Sequence, residues 1–186
     1  MIVSEIFRTA PEGGLSPEQQ HVFSALESLH IPFERVEHDW ANTMEDCKAI
    51  SAVLGTDVCK NLVLCNRQKT QFYLLTMPSD KPFHTKDLSH QIGSARLSFA
   101  SAEAMEELLR VRPGSASILS LLFDESHRVQ LVMDRETMES EYFSCHPCES
   151  TGTLKLKTSD VLQVLLPHTG HTPMVVDLPR YAEDQA

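Results

Sequence analysis

The chain reads as an α+β protein built on a mixed, largely antiparallel sheet. Two observations predict this. Strand-length apolar runs and helical periodicities intermix along the 186 residues without a regular βαβ repeat. Two of those runs, 61–66 and 71–77, are joined by the polar stretch NRQKT, which is a hairpin pattern.

Each element has its own local warrant. Ser16-Pro17-Glu18-Gln19 carries a capping box, with Ser16 as N-cap, Pro17 at the first helical position and Gln19 at the third. Val22, Phe23, Leu26 and Leu29 then share one helical face, and Pro32 ends that helix. A strand follows over 33–38. Thr43 opens a second helix, Ile50, Val53 and Leu54 give its apolar side, and Gly55 stops it. After the hairpin, a third helix is expected from an N-cap at Thr85 to Gly93. Ser101 begins SAEAMEELL, whose early acids suit the positive end of a helix dipole. RPGSAS at 112–117 reads as a loop. ILSLLF and RVQLVMD read as strands separated by DESH, followed by a short helix near 135–140 and a strand near 141–145. The remaining expectations are a strand at 153–157, a helix at 159–166 and a last strand at 173–177. One domain over 15–178 is expected, with mobile ends at 1–14 and 179–186.

Composition bounds the function. With 41% hydrophobic and 23% charged residues, the chain is an ordinary globular one. No apolar run reaches the roughly 20 residues that span a bilayer, so no membrane partner is expected. Residues 1–14 carry neither a basic leader nor a long apolar stretch, so no signal peptide is expected. Five cysteines without a small-scaffold spacing suit reduced thiols, and hence a cytoplasmic location. The net charge of −10 argues against broad binding to DNA or other duplexes. Charge is uneven, however. Residues 60–100 hold six basic side chains against two acids, enough for a few phosphate contacts.

The chemistry-bearing motifs are few. Cys145-His-Pro-Cys148 could serve zinc or dithiol chemistry, but Cys47, Cys59 and Cys65 form no second knuckle, so no metal or cofactor is expected. His146 follows a strand, precedes Pro147, and lies in a turn with Ser150, Thr151, Gly152 and Thr153, where scaffolds present functional side chains. Gly114, Ser115 and Ser117 form a small-residue loop able to bring backbone N–H groups close to a ligand. Lys60 and Asn61 stand at the mouth of an apolar strand, where a cation and an amide are poor choices for packing. The plainer reading of that pair is a snorkelling lysine and a loop-closing amide; the sharper one is a pocket lining.

Lys60-Asn61-Leu62, LSFAS at 97–101 ahead of PGSAS at 113–117, and His146-Pro147 followed by Ser-Thr-Gly-Thr, in that order and spacing, resemble the YbaK-like, prolyl-tRNA-synthetase-associated editing domains. The similarity runs from about residue 16 to 178 and is greatest to the freestanding alanyl-tRNA(Pro) deacylases. The resemblance implies a mixed sheet curled into a partial barrel and hydrolysis of mischarged tRNA(Pro), chiefly Ala-tRNA(Pro). It implies catalytic roles for Lys60, Gly114 and His146, and substrate binding by Asn61, Ser115 and Ser117. The implied partners are the aminoacylated 3′ end and prolyl-tRNA synthetase. The family loop commonly reads Gly-x-x-x-Pro; here Ile118 stands in place of that proline. The alternatives are a Cys-tRNA(Pro) deacylase, a non-catalytic binder of aminoacyl-tRNA or of the synthetase, and a thiol or zinc protein built on Cys145 and Cys148.

Overall fold

The computed structural model describes residues 1–41 and 43–181. Among these residues, eight strands form two sheets. In the larger, β2 (Lys60–Asn66) lies between β3 (Phe72–Met77) and β4 (Leu97–Phe99), antiparallel to both. The sheet continues through β5 (Val129–Asp134) and β8 (Met174–Val176), both parallel to their neighbours. The smaller sheet is antiparallel, with β7 (Gly152–Lys157) between β1 (Phe33–Glu37) and β6 (Tyr142–Cys145). The α+β class and the mixed, largely antiparallel pairing are therefore as the sequence predicts. Cys59 N–H donates to the Ser144 carbonyl at 3.0 Å, tying the mouth of β2 to the end of β6.

The main core fills the space between the sheets. Val63, Leu74 and Leu131 of the larger sheet meet Phe143, Leu154 and Leu156 of the smaller. Val22, Phe23 and Leu26 of α1 (Pro17–Ser28) and Leu108 and Leu109 of α4 (Ala102–Leu109) close it. The other face of the larger sheet, with Leu64, Leu75 and Val132, packs on Leu88 of α3 (Thr85–Ile92) and on Val176 and Leu178. A third cluster joins Val36 to Ile50 and Leu54 of α2 (Met44–Leu54). Among the described residues no helix is long and apolar enough to cross a membrane.

Local signals hold where a side chain has one low-energy use. Ser16 Oγ accepts from Gln19 N–H and the Gln19 side chain accepts from Ser16 N–H, with Pro17 in the first turn. Thr43 and Asp46 form a second such box. Gly55 and Gly93 end their helices at φ +64° and +66°. Two expectations are corrected. ILSLLF at 118–123 is a 3-10 helix: a short run apolar except for Ser120 has no periodicity to separate a buried strand from a buried helix, and Ser117 Oγ caps it by accepting from Leu119 N–H. Thr85 is the first residue of α3, and His84 stands at the cap without a side-chain bond.

The C-terminal helix runs through Thr158–Asp160, a wide π turn at Val161–Leu165, and Leu166–Thr169. Pro167 has no N–H to continue an α pattern, and the wide turn directly precedes it. The segments before β1 and after β8 make specific contacts. Val3 bridges His38 and Phe7 bridges Arg35 along the edge of β1, and buried Arg35 donates to the Thr9 carbonyl at 2.6 Å. Arg180 pairs with Asp80 and Glu136, while residues 182–186 lie outside those described.

Candidate active site

Three loops converge where β6 ends. His38 N–H donates to the Thr151 carbonyl, and Ala41 N–H to the Ser150 carbonyl, zipping the segment after β1 onto the β6–β7 turn. Ser150 N–H donates to Ser115 Oγ at 3.2 Å, which fastens the 112–117 loop to the same turn. Gly114 has φ +90°, a conformation that side-chain-bearing residues rarely adopt, and the Trp40 indole lies against it. A Cβ at Gly114 would sit 3.8 Å from that ring.

His146 is buried behind this junction. Its Nδ1 lies 2.8 Å from the Gly152 carbonyl, which can only accept, so Nδ1 carries the proton and Nε2 keeps a lone pair. His38 is fixed likewise, its Nδ1 donating to the Asp39 carbonyl at 2.8 Å. The Thr153 hydroxyl therefore donates to His38 Nε2 at 2.8 Å, while its oxygen lies 3.2 Å from His146 Nδ1. Burial pushes His146 down to about 4; the Gly152 carbonyl opposes this and the neighbouring His38 adds to it. Burial lowers His38 as well, against its bond to Asp39. Both imidazoles are neutral at neutral pH. The cluster offers an acceptor in a dry setting, not a cation.

The β2 residues contribute on two faces. Cross-strand neighbours Asn61 and Thr76 each carry a buried side-chain oxygen without a hydrogen-bond partner, while Asn61 Nδ2 donates to the Cys59 carbonyl. Successive strand side chains alternate, so Asn61 and Val63 share the face toward the main core, and Lys60, Leu62 and Leu64 share the other. Lys60 Nζ donates to the Lys81 carbonyl at 2.8 Å. Burial lowers its pKa, with Asp80 opposing. Among the described residues, Lys60 makes no hydrogen bond or ion pair with Asn61, Gly114, Ser115, Ser117 or His146.

The structure thus joins Gly114, Ser115 and Ser117 to the turn that follows His146, and sets Lys60 on the far face of β2. Ser115 and Ser117 are fully buried and spend their hydroxyls on loop fastening and helix capping. Cys145 and Cys148 are buried too; desolvation pushes Cys145 up to about 12 and raises Cys148 well above the ordinary thiol range. Such thiols are poor nucleophiles. Among the described residues no group of three or more His, Cys, Asp or Glu could hold a metal ion. Sequence reasoning missed His38, Thr153 as a bridge, and Trp40. The available signal was that the chain's one tryptophan lies two residues after a histidine that ends a strand.

The fold is shared with solved structures. A structure described as a candidate trans-editing enzyme for prolyl tRNA synthetase superposes with a TM-score of 0.66 at 18% identity, covering 90% of this chain and 100% of that one. The aminoacyl-tRNA editing domain profile matches residues 38–164, and the chain belongs to that family. By family it is an aminoacyl-tRNA hydrolase. It is similar to the prolyl-tRNA editing protein ProX of Acetoanaerobium sticklandii, at 29% identity over 86% of this chain and 97% of that protein. It is also similar to prolyl-tRNA synthetase associated domain-containing protein 1 of Mus musculus, at 33% identity over 82% of this chain and 91% of that one.

Proposed function

We propose that this protein is a trans-editing deacylase that hydrolyses the ester of mischarged tRNA(Pro), chiefly Ala-tRNA(Pro). The observation that carries the reading is the family match over residues 38–164, which takes in Lys60, Asn61, Gly114 and His146. The relatives' names, which point to prolyl-tRNA, support the choice of tRNA.

An aminoacyl ester is already activated, so the site has to position water, polarise the carbonyl and let the ribose oxygen leave. Water oxygen adds to the ester carbonyl, the bond from carbon to ribose oxygen breaks, and the proton lost by water ends on the freed hydroxyl. Backbone N–H groups around Gly114 would stabilise the oxyanion, and the tight φ of that glycine is what lets the backbone approach. Neutral His146, with its lone pair on Nε2, would accept a hydrogen bond from the substrate's amino group or ribose hydroxyl. An imidazole held near 4 is too weakly basic to be an efficient base at neutral pH. Asn61 would bind the aminoacyl end, and Lys60 a backbone phosphate near the 3′ terminus.

Editing on a small amino acid follows from the limits of the first selection. A synthetase pocket built for proline rejects alanine by only about 1–3 kcal/mol per missing methylene. A second pocket too small for proline removes the error and spares the correct product. Hydrolysis of tRNA(Pro) charged with alanine, cysteine, serine or proline tests the reading. Alanine should be released fastest and proline spared. Failure to release any of the three non-cognate amino acids would refute it, and a preference for cysteine would change the substrate but keep the class.

A further inference from the structure

The far face of β2 carries an aromatic platform beside Lys60. Phe99 of β4 lies directly across from Leu64 of β2 in the antiparallel register, so its side chain is on the face that also bears Leu62 and Lys60. Unlike Leu64 and Leu97, which are buried in the cluster on this face, the Phe99 ring is 60% exposed. Among the described residues it is the one exposed phenylalanine. Half-buried Phe83 meets it edge to face, with ring centroids 6.2 Å apart and an interplanar angle of 66°. Phe83 lies two residues after Lys81, whose carbonyl holds Lys60 Nζ. One turn of chain therefore links the ammonium to the aromatic pair.

Lys86, in the first turn of α3 and three residues after Phe83, is exposed and pairs with no carboxylate among the described residues. Lys60 likewise has a carbonyl partner and no ion pair. On a chain of net charge −10, a local run of unpaired cations beside an exposed ring matches a polyanion with flat faces. A protein interface would need roughly 800 Å² per partner, and two rings beside two lysines are a poor core for one. Base stacking needs only the ring.

We propose that Phe99, backed by Phe83, is a stacking platform for an unpaired base at the 3′ end of the bound tRNA, with Lys60 and Lys86 facing the adjoining phosphates. This rests on the editing reading and adds a binding residue to it. Phe99 gives the face of β2 that Lys60 occupies a role of its own: the strand divides the substrate, with nucleotides on one face and the aminoacyl group on the other.

The test is fluorescence anisotropy with uncharged tRNA(Pro), intact or shortened by its unpaired 3′ nucleotides, against wild type, Phe99→Ala and Phe99→Trp. Because the ring is exposed, circular dichroism of both variants should match wild type. Wild type should bind intact tRNA about tenfold more tightly than shortened tRNA. Phe99→Ala should lose that preference while binding shortened tRNA as wild type does, and Phe99→Trp should retain it. An unchanged preference in Phe99→Ala, or no preference in wild type, overturns the platform. So does a wild-type dimer in sedimentation that Phe99→Ala dissociates, which would assign the patch to a second copy of the chain. Hydrolysis of Ala-tRNA(Pro) separates the two failures. An inactive wild type sinks the editing reading, whereas an active wild type matched by Phe99→Ala in binding and kcat/KM sinks the platform alone.

Discussion

Two regions of this molecule bury polar groups by opposite means. At the end of the smaller sheet, His38, Thr153 and His146 satisfy one another and nearby carbonyls while remaining neutral. Below the larger sheet, the Lys81 ammonium is 2% exposed and reaches both oxygens of fully buried Asp134 at 2.8 and 2.9 Å. Glu136 adds a third oxygen at 3.0 Å, and Asp134 also accepts from the Leu178 and Glu136 N–H groups. The neutral cluster keeps a lone pair available and tolerates small changes. The charged one fixes the 78–81 loop and the C-terminal segment, but it cannot lose a partner cheaply. The first kind leaves an acceptor open, and the second acts as a brace.

The brace gives the largest expected effect. Asp134→Asn removes the charge that compensates a buried ammonium and should cost about 3–5 kcal/mol in chemical denaturation. Lys81→Met combined with Asp134→Leu should cost much less, since no orphan charge remains. Equal losses in the single and double variants would show that packing around the pair, and not its charge, matters.

The neutral cluster predicts a pH effect of the next size. His146 is held near 4 when folded, below its ordinary value near 6.5, so between those limits the unfolded chain binds a proton that the folded one does not. Stability should therefore be fully present above about pH 6.5 and fall as pH drops toward 4, by about 3 kcal/mol for this group. His38, lowered in the same direction, adds to the loss. Unfolding followed across pH 4–8 in wild type and His146→Asn should show a shallower acid decline in the variant. An identical decline would mean that other groups carry it.

What the sequence made legible follows the same division. The capping box at Ser16, the helix start at Thr43 and the glycine stops were readable because each uses neighbours within five residues, and the β2–β3 hairpin because two apolar runs flank one polar turn. The grouping of Gly114 with the His146 turn was readable as motifs in order, and the contacts that join them, Ser150 to Ser115 and Ser150 to Ala41, arise only when three distant loops meet. Lys81 counted as one of six cations in a basic segment, yet its charge is consumed by Asp134, 53 residues away. The 3-10 helix at 118–123 was hidden because six residues apolar except for Ser120 carry no periodicity that separates strand from helix. Most instructive is Lys60-Asn61, which reads as one unit in sequence and is split across a sheet by strand alternation.

That split sharpens the smallest of these predictions. Lys60 is half-buried and holds the Lys81 carbonyl, so a purely structural lysine would, on replacement by alanine, leave an acceptor that water can satisfy at the open edge and change activity little. If instead the ammonium holds a phosphate of the 3′ end, Lys60→Ala removes a charge-assisted bond of about 1.5–3 kcal/mol, or roughly ten- to a hundredfold in kcat/KM. The loss should fall on both mischarged and uncharged tRNA binding, because the phosphate is present in each. If Asn61, on the opposite face of β2, holds the aminoacyl end, Asn61→Ala should instead lower kcat/KM for Ala-tRNA(Pro) and leave uncharged tRNA binding unaltered. Lys60→Arg should rescue poorly, since a planar fork does not replace a compact ammonium seated on a carbonyl. Both variants should keep the wild-type circular dichroism, as a residue at a strand mouth contributes little to the core. Wild-type deacylation by folded Lys60→Ala would return the lysine to a packing role.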